Sequence, residues 1–384
     1  MKDFKQIITK FHYKKCGVFV SVFLFILLFL PAVFYSFVIK LKNLLYKLKI
    51  LSEKSVGFDN GTPSESAKVI CIGNLTTGGV GKTPVVIEFC RYLSKYKKVS
   101  SLSRGYGGKL KKPAIIKDFN KILIDDAGLS GDEVNLIAKN AENFAVVASS
   151  DRLAGANLAI NTLNTEIIVM DDGFSNRKIK KDLTCLLFDI NKFIGNGFLL
   201  PLGPLREPLR EIKRADGIIL IDKANTENAS VAQIMEFLEE KFKKPVFVSK
   251  FKADYFYDIR TGEIIDTAEI KDIFAFCGIG QPVQFYNYLK PYNLLDTKSF
   301  DDHYFYKNED VEDIIQNALK KGAKYIVTTE KDAVKLVSLP CIKDRQKGQR
   351  GQKDGAALEI KILAMKLKPE INVEKILNDT GFKV

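Results

Sequence analysis

The order of apolar and polar residues divides the chain into three parts. An uncharged apolar segment at 16–39 comes first, a polar linker at 52–66 follows, and short apolar runs then alternate with helix-like stretches from residue 68 onward. Continuous apolar runs of this kind are typical of strands buried on both faces, in a parallel sheet covered by helices. The pattern therefore predicts an α/β fold class preceded by an N-terminal membrane-associated helix.

The strand-like runs fall into two successive groups. The first group lies at 68–73, 99–103, 144–148, 166–170, 184–190 and 215–221, and the second at 245–251, 272–278, 323–328 and 358–365. We accordingly expect an anchor with basic flanks at 1–51, a core domain at 66–225 and a smaller C-terminal α/β domain at 226–384 that closes over the core. A basic, glycine-rich segment at 342–356 is expected to form a flexible insertion.

The first strand-like run leads into a glycine-rich turn that contains Gly78 and Gly79 and ends in Gly81, Lys82 and Thr83. The backbone N–H groups of such a turn, together with the N-terminus of the following helix, hold a polyphosphate. The lysine reaches the β- and γ-phosphates, and the threonine hydroxyl binds Mg²⁺. Strand, turn and helix follow in the required order, so we predict a P-loop NTPase-like core that binds a nucleotide.

Two acids, Asp171 and Asp172, directly follow the strand-like run at 166–170. P-loop enzymes hold Mg²⁺ with an aspartate at such a position. We expect one carboxylate to bind the ion, directly or through water. The other would orient the ion or contact the substrate.

Asp132 and His303 are candidates for proton transfer. Asp132 precedes a helix-like run, where an acid is also explained by its favourable position at a helix start. The chain has only two histidines, and His12 lies before the apolar segment. His303 is therefore the imidazole available for acid–base chemistry.

Two loops carry further candidate residues. Arg104 lies in a glycine-containing turn after the second strand-like run, at the sheet edge where α/β sites form. The loop at 197–208 is rich in proline and apolar residues and carries Arg206 and Glu207. Its composition suits a substrate that is partly lipid and partly anionic.

The net charge of +13 favours an anionic partner. Lysines at both ends of the apolar segment favour an anionic membrane, and the segment at 342–356 lacks the interleaved aromatic residues of a single-strand binder. The two basic flanks give no orientation by the positive-inside rule. A single span and a re-entrant or interfacial helix bent near Pro31 are both compatible with the sequence. The six cysteines form no CxxC pair, which fits reduced core residues and a cytosolic catalytic region.

Taken in order, these segments resemble the tetraacyldisaccharide 4'-kinase family, the lipid A kinases of Gram-negative envelope synthesis. The resemblance runs from Val69 to about Leu336. It rests on the motifs at 73–84, 103–107, 131–133, 171–174, 203–208, 276–280, 302–303 and 328–332. The family has a threonine at the head of the glycine-rich turn, which accounts for Thr76. The chain departs from the family at Ser175 and Asn176, where glutamine and histidine are usual.

The resemblance implies transfer of the γ-phosphoryl group of ATP to the 4'-hydroxyl of a tetraacylated glucosamine disaccharide 1-phosphate, giving lipid IVA. It implies ATP and Mg²⁺ as cofactors, the anionic inner membrane as location with the catalytic domain on the cytoplasmic face, no nucleic acid and no obligate protein partner. Asp132 would take the proton of the sugar hydroxyl, and His303 would tune or orient Asp132.

The resemblance also assigns roles residue by residue. Catalysis falls to Asp132, His303 and Lys82. Nucleotide binding falls to Thr76, Thr77, Gly78, Gly79, Val80, Gly81, Lys82 and Thr83. Mg²⁺ binding falls to Thr83, Asp171, Asp172 and Glu207, and substrate contact to Asn74, Arg104 and Arg206.

A membrane-attached P-loop GTPase or ATPase switch is the main alternative function. The sequence has no Asn-Lys-x-Asp segment that would read guanine, and residues 221–224 echo it only in part. A basic membrane adaptor would leave Lys82, Asp171 and Asp132 without a purpose. Consumption of ATP that depends on an acceptor separates these possibilities.

Overall fold

The computed structural model describes residues 2–57, 67–223, 228–342 and 360–384. The α-helices within these ranges are α1 Lys2–His12, α2 Val18–Lys47, α3 Lys82–Leu93, α4 Ala127–Ser130, α5 Asp132–Asn140, α6 Arg152–Leu163, α7 Asn228–Phe242, α8 Pro282–Leu289, α9 Asn308–Lys320, α10 Glu330–Leu336 and α11 Val373–Asp379. The strands are β1 Lys68–Gly73, β2 Val99–Ser103, β3 Ala114–Lys117, β4 Ala145–Ala148, β5 Ile167–Asp171, β6 Leu183–Asp189, β7 Gly217–Asp222, β8 Val246–Asp258, β9 Ile264–Ile265, β10 Ile273–Cys277, β11 Leu294–Ser299, β12 Tyr325–Thr329 and β13 Lys361–Glu370.

The chain divides into two compact units, and each contains separate stretches of sequence. Unit 1 comprises Met1–Leu102, Asp151–Lys250 and Ile371–Val384, and unit 2 comprises Ser103–Ser150 and Phe251–Glu370. The sequence analysis expected continuous segments instead, with an anchor at 1–51, a core domain at 66–225 and a smaller domain at 226–384. Helix α11 belongs to unit 1 because it packs against α3. Apart from residue 342, the insertion predicted at 342–356 lies outside the described residues.

Unit 1 contains a parallel sheet in the order β8, β7, β6, β1, β5 and β2, to which β8 contributes its first half. Strands β5, β6 and β7 are buried along their whole length, as their apolar sequences predict. In the parallel register of β1 and β5, Ile72 pairs with Asp171. The carboxyl ends of both strands therefore meet at one edge of the sheet, where ligands bind in α/β folds.

Unit 2 contains parallel strands in the order β11, β10, β12 and β13. It also contains two antiparallel pairs, β3 with β4 and the second half of β8 with β9. The sequence analysis did not predict β3, β9 or β11. Strand β11 alternates half-buried and exposed residues, so it lacks the continuous apolar run used to recognise the buried strands.

Helix α2 is a single 30-residue helix that continues through Pro31. At 1.5 Å per residue it is about 45 Å long, against about 30 Å for a bilayer hydrocarbon core. By length and composition it is able to cross a membrane. Leu24 and Ala32 pack against Phe11 and Leu202, while most of its large apolar side chains are exposed, including Phe19, Phe23, Phe34 and Phe37. The helix thus presents an extensive apolar surface.

A substitution at Gly73 would show how tightly unit 1 is packed at the end of β1. A Cβ added there would lie 2.7 Å from Phe174 Cβ and 3.3 Å from Phe174 N, and Phe174 is fully buried. Overpacking of this kind costs about 1–3 kcal/mol, so Gly73→Ala is expected to lower the melting temperature by about 2–4 °C for each kcal/mol. Gly17→Ala is the matched control, since a Cβ there meets no atom within 4 Å. Equal melting temperatures for wild type and both variants would contradict the tight approach.

Candidate active site

The glycine-rich turn joins β1 to α3 in unit 1. Gly78 and Gly81 have positive φ angles of 101° and 99°, and a Cβ added at Gly78 or Gly79 would meet no atom within 4 Å. Helix α3 begins at Lys82, with Gly81 as its N-cap residue. Open space beside such a turn and a helix N-terminus fits an anionic phosphate group.

Four side chains form a charged network beside this turn. Lys82 Nζ donates to Asn74 Oδ1 at 3.1 Å and lies 3.8 Å from Asp172 Oδ1. Arg206 donates to both carboxylate oxygens of Asp172, at 2.8 and 3.0 Å, and also to Asn74. Burial alone would raise the pKa of Asp172, but Lys82 and Arg206 outweigh it and hold that pKa well below its ordinary value. The network therefore keeps Asp172 ionised and places two cations beside the turn.

The proline-rich loop at 197–208 runs alongside the start of the glycine-rich turn. The Thr77 N–H donates to Pro204 O at 2.8 Å, and the Arg206 N–H donates to Leu75 O at 2.7 Å. This backbone pairing explains how Arg206 reaches the charged network. It also means that the Thr77 N–H is already used inside the protein.

Lys223 is a residue of this site that the sequence analysis missed. It follows β7, and its Nζ donates to Gly79 O at 2.8 Å and lies 3.6 Å from Asp189 Oδ2. Burial lowers the pKa of Lys223 to about 8. The only sequence signal was the partial echo of a guanine-reading segment at 221–224, whereas the structure shows Lys223 holding the glycine-rich turn itself.

Glu207, one of the predicted metal ligands, lies between two cations. It is 1% exposed, one of its carboxylate oxygens pairs with Arg214, and the other lies 3.7 Å from Lys42 Nζ of α2. Lys42 also donates to Ser175 O at 3.2 Å. These contacts connect α2 to the loops of the site, and a metal role for Glu207 stays a prediction.

The other residues predicted to bind Mg²⁺ offer hard oxygen donors. Thr83 lies in the first turn of α3, Asp171 is the last residue of β5, and Asp172 follows it. Among the described residues, no group of three or more His, Cys, Asp or Glu side chains is arranged to hold a metal ion. Mg²⁺ commonly takes only one or two protein carboxylates when phosphates supply further oxygens. Thr83, Asp171 and Asp172 fit that requirement.

Asp132 and His303 lie together in unit 2. His303 Nδ1 is 3.0 Å from Asp132 Oδ2, and Asp132 Oδ1 accepts from the Glu133 N–H at 2.9 Å. Burial would raise the pKa of Asp132, but the hydrogen bond with His303 and the charge of Lys331 outweigh it, so the pKa is lowered. The hydrogen bond to Asp132 raises the pKa of His303 despite burial and Lys331. The predicted pair is therefore in contact, with its carboxylate ionised at neutral pH.

Lys331 lies in the motif at 328–332, but the sequence analysis assigned it no role. Its Nζ lies 3.2 Å from His303 Nε2, whereas the other ring nitrogen contacts Asp132. Arg104, predicted to contact substrate, is exposed at the end of β2. Its role in substrate contact stays a prediction.

The P-loop turn with its cations, at the carboxyl ends of β1 and β5, defines the class of this protein as an α/β P-loop protein. A family model described as tetraacyldisaccharide-1-P 4'-kinase matches residues 24–379. The chain belongs to this family.

Individual relatives agree with the family match. The tetraacyldisaccharide 4'-kinase of Halothermothrix orenii is 32% identical over 332 residues, which cover 82% of this chain and 84% of that protein. The enzyme of the same name from Chelativorans sp. is 36% identical over 274 residues, covering 70% and 73%. The crystal structure of "apo" form LpxK from Aquifex aeolicus in complex with ATP is 29% identical, with a TM-score of 0.66 and coverage of 91% and 96%. The predicted fold class, family and kinase activity are thereby confirmed.

Proposed function

We propose that this chain transfers the γ-phosphoryl group of ATP to the 4'-hydroxyl of a tetraacylated glucosamine disaccharide 1-phosphate, giving lipid IVA. The observation that carries the proposal is the contact between Asp132 and His303. Transfer to a sugar hydroxyl requires an acceptor for the hydroxyl proton. A nucleotide switch has no sugar hydroxyl to deprotonate, so the buried, ionised carboxylate held by histidine favours the kinase.

The glycine-rich turn and its neighbouring cations form the nucleotide-binding part of the proposed site. Backbone N–H groups at the start of α3, Lys82 and Arg206 supply donors and positive charge for the phosphate oxygens. Mg²⁺, held by Thr83, Asp171 and Asp172, would neutralise charge on the β- and γ-phosphates when bound. Asn74 is nearly fully buried and engaged with Lys82 and Arg206, so its part in substrate binding would act through those two cations.

Asp132 accepts the proton of the sugar hydroxyl. As the hydroxyl oxygen bonds to the γ-phosphorus and the bond from phosphorus to the ADP oxygen breaks, the hydroxyl proton passes to Asp132. Its lowered pKa keeps it in the accepting form at neutral pH. His303 holds the carboxylate in one orientation through the 3.0 Å hydrogen bond.

The exposed apolar surface of α2 is the reason to place the protein at a membrane. Acyl chains of the substrate stay in the bilayer, so an enzyme that reaches the sugar from the membrane surface needs a hydrophobic anchor. We place the chain at the anionic inner membrane with its catalytic region on the cytoplasmic face, where ATP is found. Arg104 offers a positive charge for the 1-phosphate or another anionic group of the lipid. The proposal includes no nucleic acid and no obligate protein partner.

The test is transfer of labelled γ-phosphate from ATP to the detergent-solubilised disaccharide 1-phosphate lipid. We expect label in the lipid with wild type and acceptor together, and little release of phosphate when the acceptor is left out. Hydrolysis of ATP at a rate indifferent to the acceptor would replace the kinase with a nucleotide switch.

A further inference from the structure

Lys331 occupies a position that the fold fixes from several directions. It lies in the first turn of α10, whose N-cap residue Thr329 accepts a hydrogen bond from the Asp332 N–H at 3.1 Å. The Asp332 carboxylate accepts the Gly278 N–H at 2.9 Å and pairs with Lys335 at 2.8 Å. Helix α10 is thereby attached to the turn after β10.

His303 is attached to the same turn. Its N–H donates to Gly278 O at 3.2 Å, and its φ of 62° is a backbone conformation that non-glycine residues rarely adopt. Its ring and that of Tyr106 pack in a T-shaped arrangement, with ring centroids 5.5 Å apart. Such a conformation persists where the surrounding contacts determine it, often at functional sites. Gly278 therefore forms hydrogen bonds with both the His303 backbone and helix α10.

The charge state of Lys331 follows from its neighbours. Its Nζ lies 3.6 Å from Glu133, 3.5 Å from Asp302 and 4.0 Å from Asp132. Burial would lower the pKa of Lys331, but these carboxylates outweigh it and raise the pKa above its ordinary value. Lys331 is therefore an ammonium group, which can donate hydrogen bonds but cannot accept them.

The ammonium group determines which nitrogen of His303 carries the proton. Lys331 Nζ is 3.2 Å from His303 Nε2, so Nε2 must be the acceptor. An imidazolium would set two donors against each other at this distance. The ring proton then lies on Nδ1, which donates to Asp132 Oδ2 at 3.0 Å.

We propose that Lys331 is a positioning residue that makes Nδ1–H the tautomer of neutral His303 and thereby holds Asp132 as the proton acceptor. This inference rests on the proposed function for its catalytic consequence. Without Lys331, nothing in the described contacts opposes a proton on Nε2, and Asp302 lies 3.9 Å from that nitrogen. His303 would become an imidazolium at a higher pH, and Asp132 would be paired with a full positive charge that weakens it as a base.

The sign of the pH effect follows from the groups around the ring. Lys331 lowers the pKa of His303, whereas Asp132 and Asp302 raise it. Removing the lysine charge therefore raises the His303 pKa. The charged groups that face the pair are Asp132 and Glu133 of α5, Asp302 beside His303, and Lys331, Asp332 and Lys335 of α10.

The tautomer is directly measurable because the chain has only two histidines. We would label the full-length protein in detergent with ¹⁵N-histidine and record imidazole spectra across pH, assigning His12 with His12→Gln. His12 Nε2 lies 2.9 Å from Pro201 O, so His12 must carry its proton on Nε2 and provides an internal reference of the opposite tautomer. We expect the neutral ring of His303, observed above its pKa, to carry its proton on Nδ1 in wild type. A neutral ring with its proton on Nε2 would overturn the proposal.

Lys331→Met tests the consequence for catalysis. We expect a higher His303 pKa, an acid limb of the kcat profile shifted to higher pH, an unchanged KM for ATP, and a loss in kcat of roughly 10- to 100-fold, the size seen when a group that orients a functional residue is removed. Lys331→Arg should recover part of the loss because it retains a cationic donor. Lys320→Met, at an exposed position of α9, is the matched control.

The outcomes separate this inference from the proposed function. If wild type phosphorylates the lipid but Lys331→Met keeps the wild-type kcat and His303 titration, only the inference fails. If wild type makes no phosphorylated lipid, the proposed function fails, and the wild-type spectrum still decides the tautomer. If Lys331→Met does not fold, the spectrum of wild type and the pH profile of Lys331→Arg decide the result.

Discussion

Asp132→Asn is expected to lower kcat by about 10²- to 10⁴-fold, the contribution typical of a general base, while leaving the affinity for ATP unchanged. Asparagine has nearly the same shape and keeps one side-chain oxygen, which can accept from the Glu133 N–H or from His303 Nδ1, the two groups that contact Asp132 at 2.9 and 3.0 Å. What it loses is the negative charge that accepts a proton. The measurements are single-turnover transfer to the lipid and equilibrium binding of ATP.

Asp313→Asn is the matched control for this variant. Asp313 lies on α9, its side chain is 56% exposed, and its partner is a surface lysine. Exposed ion pairs contribute little to stability, so this variant should keep wild-type turnover. Wild-type turnover in Asp132→Asn would exclude Asp132 as the base. A parallel loss of ATP binding would point instead to a structural role.

The pH dependence of wild type gives a related check on Asp132. Its pKa is lowered in the folded protein, so the carboxylate is already ionised when the pH rises above the ordinary aspartate range near 4. The hydrogen bond between Asp132 and His303 therefore stabilises the folded protein above that range. This stabilisation is lost as the pH falls through the lowered pKa of Asp132. An acid limb of the rate near neutral pH would then report His303, which Asp132 holds at a raised pKa.

The parts of the site that depend on local sequence were predictable. The glycine-rich turn, Lys82 and the two acids after β5 lie within a few residues of a strand end, and a parallel sheet brings such ends to one edge. The register of Ile72 with Asp171 is an example. The pairing of Asp132 with His303 was inferred only through the family resemblance, because 171 residues separate them.

The residues that sequence reasoning missed act through tertiary contacts. The chain has 59 basic residues, so its composition does not identify Lys223 or Lys331 as functional residues. Their roles come from burial beside Gly79 and beside His303. The division into units also depends on tertiary contacts, since Ser103–Ser150 groups with residues far along the chain, and no local sequence pattern predicts that grouping.

Lys82→Met is expected to weaken ATP binding and to slow transfer together. A charged hydrogen bond contributes about 1.5–3 kcal/mol, which corresponds to roughly 10- to 100-fold in affinity. Loss of a donor that stabilises transition-state charge lowers kcat by roughly 10²- to 10³-fold. Binding of ATP and single-turnover transfer at saturating ATP measure the two effects separately.

The fold should tolerate Lys82→Met, because the neighbours of Lys82 keep other partners. Asn74 retains its contact with Arg206, and Asp172 retains both hydrogen bonds from the same guanidinium. The Asp172 pKa should rise, since Lys82 is the largest influence that lowers it. Lys98→Met, at an exposed position before β2, controls for loss of a lysine charge. A variant that binds ATP as wild type does but transfers slowly would assign Lys82 to the transition state alone, and wild-type values for both would remove it from the nucleotide site.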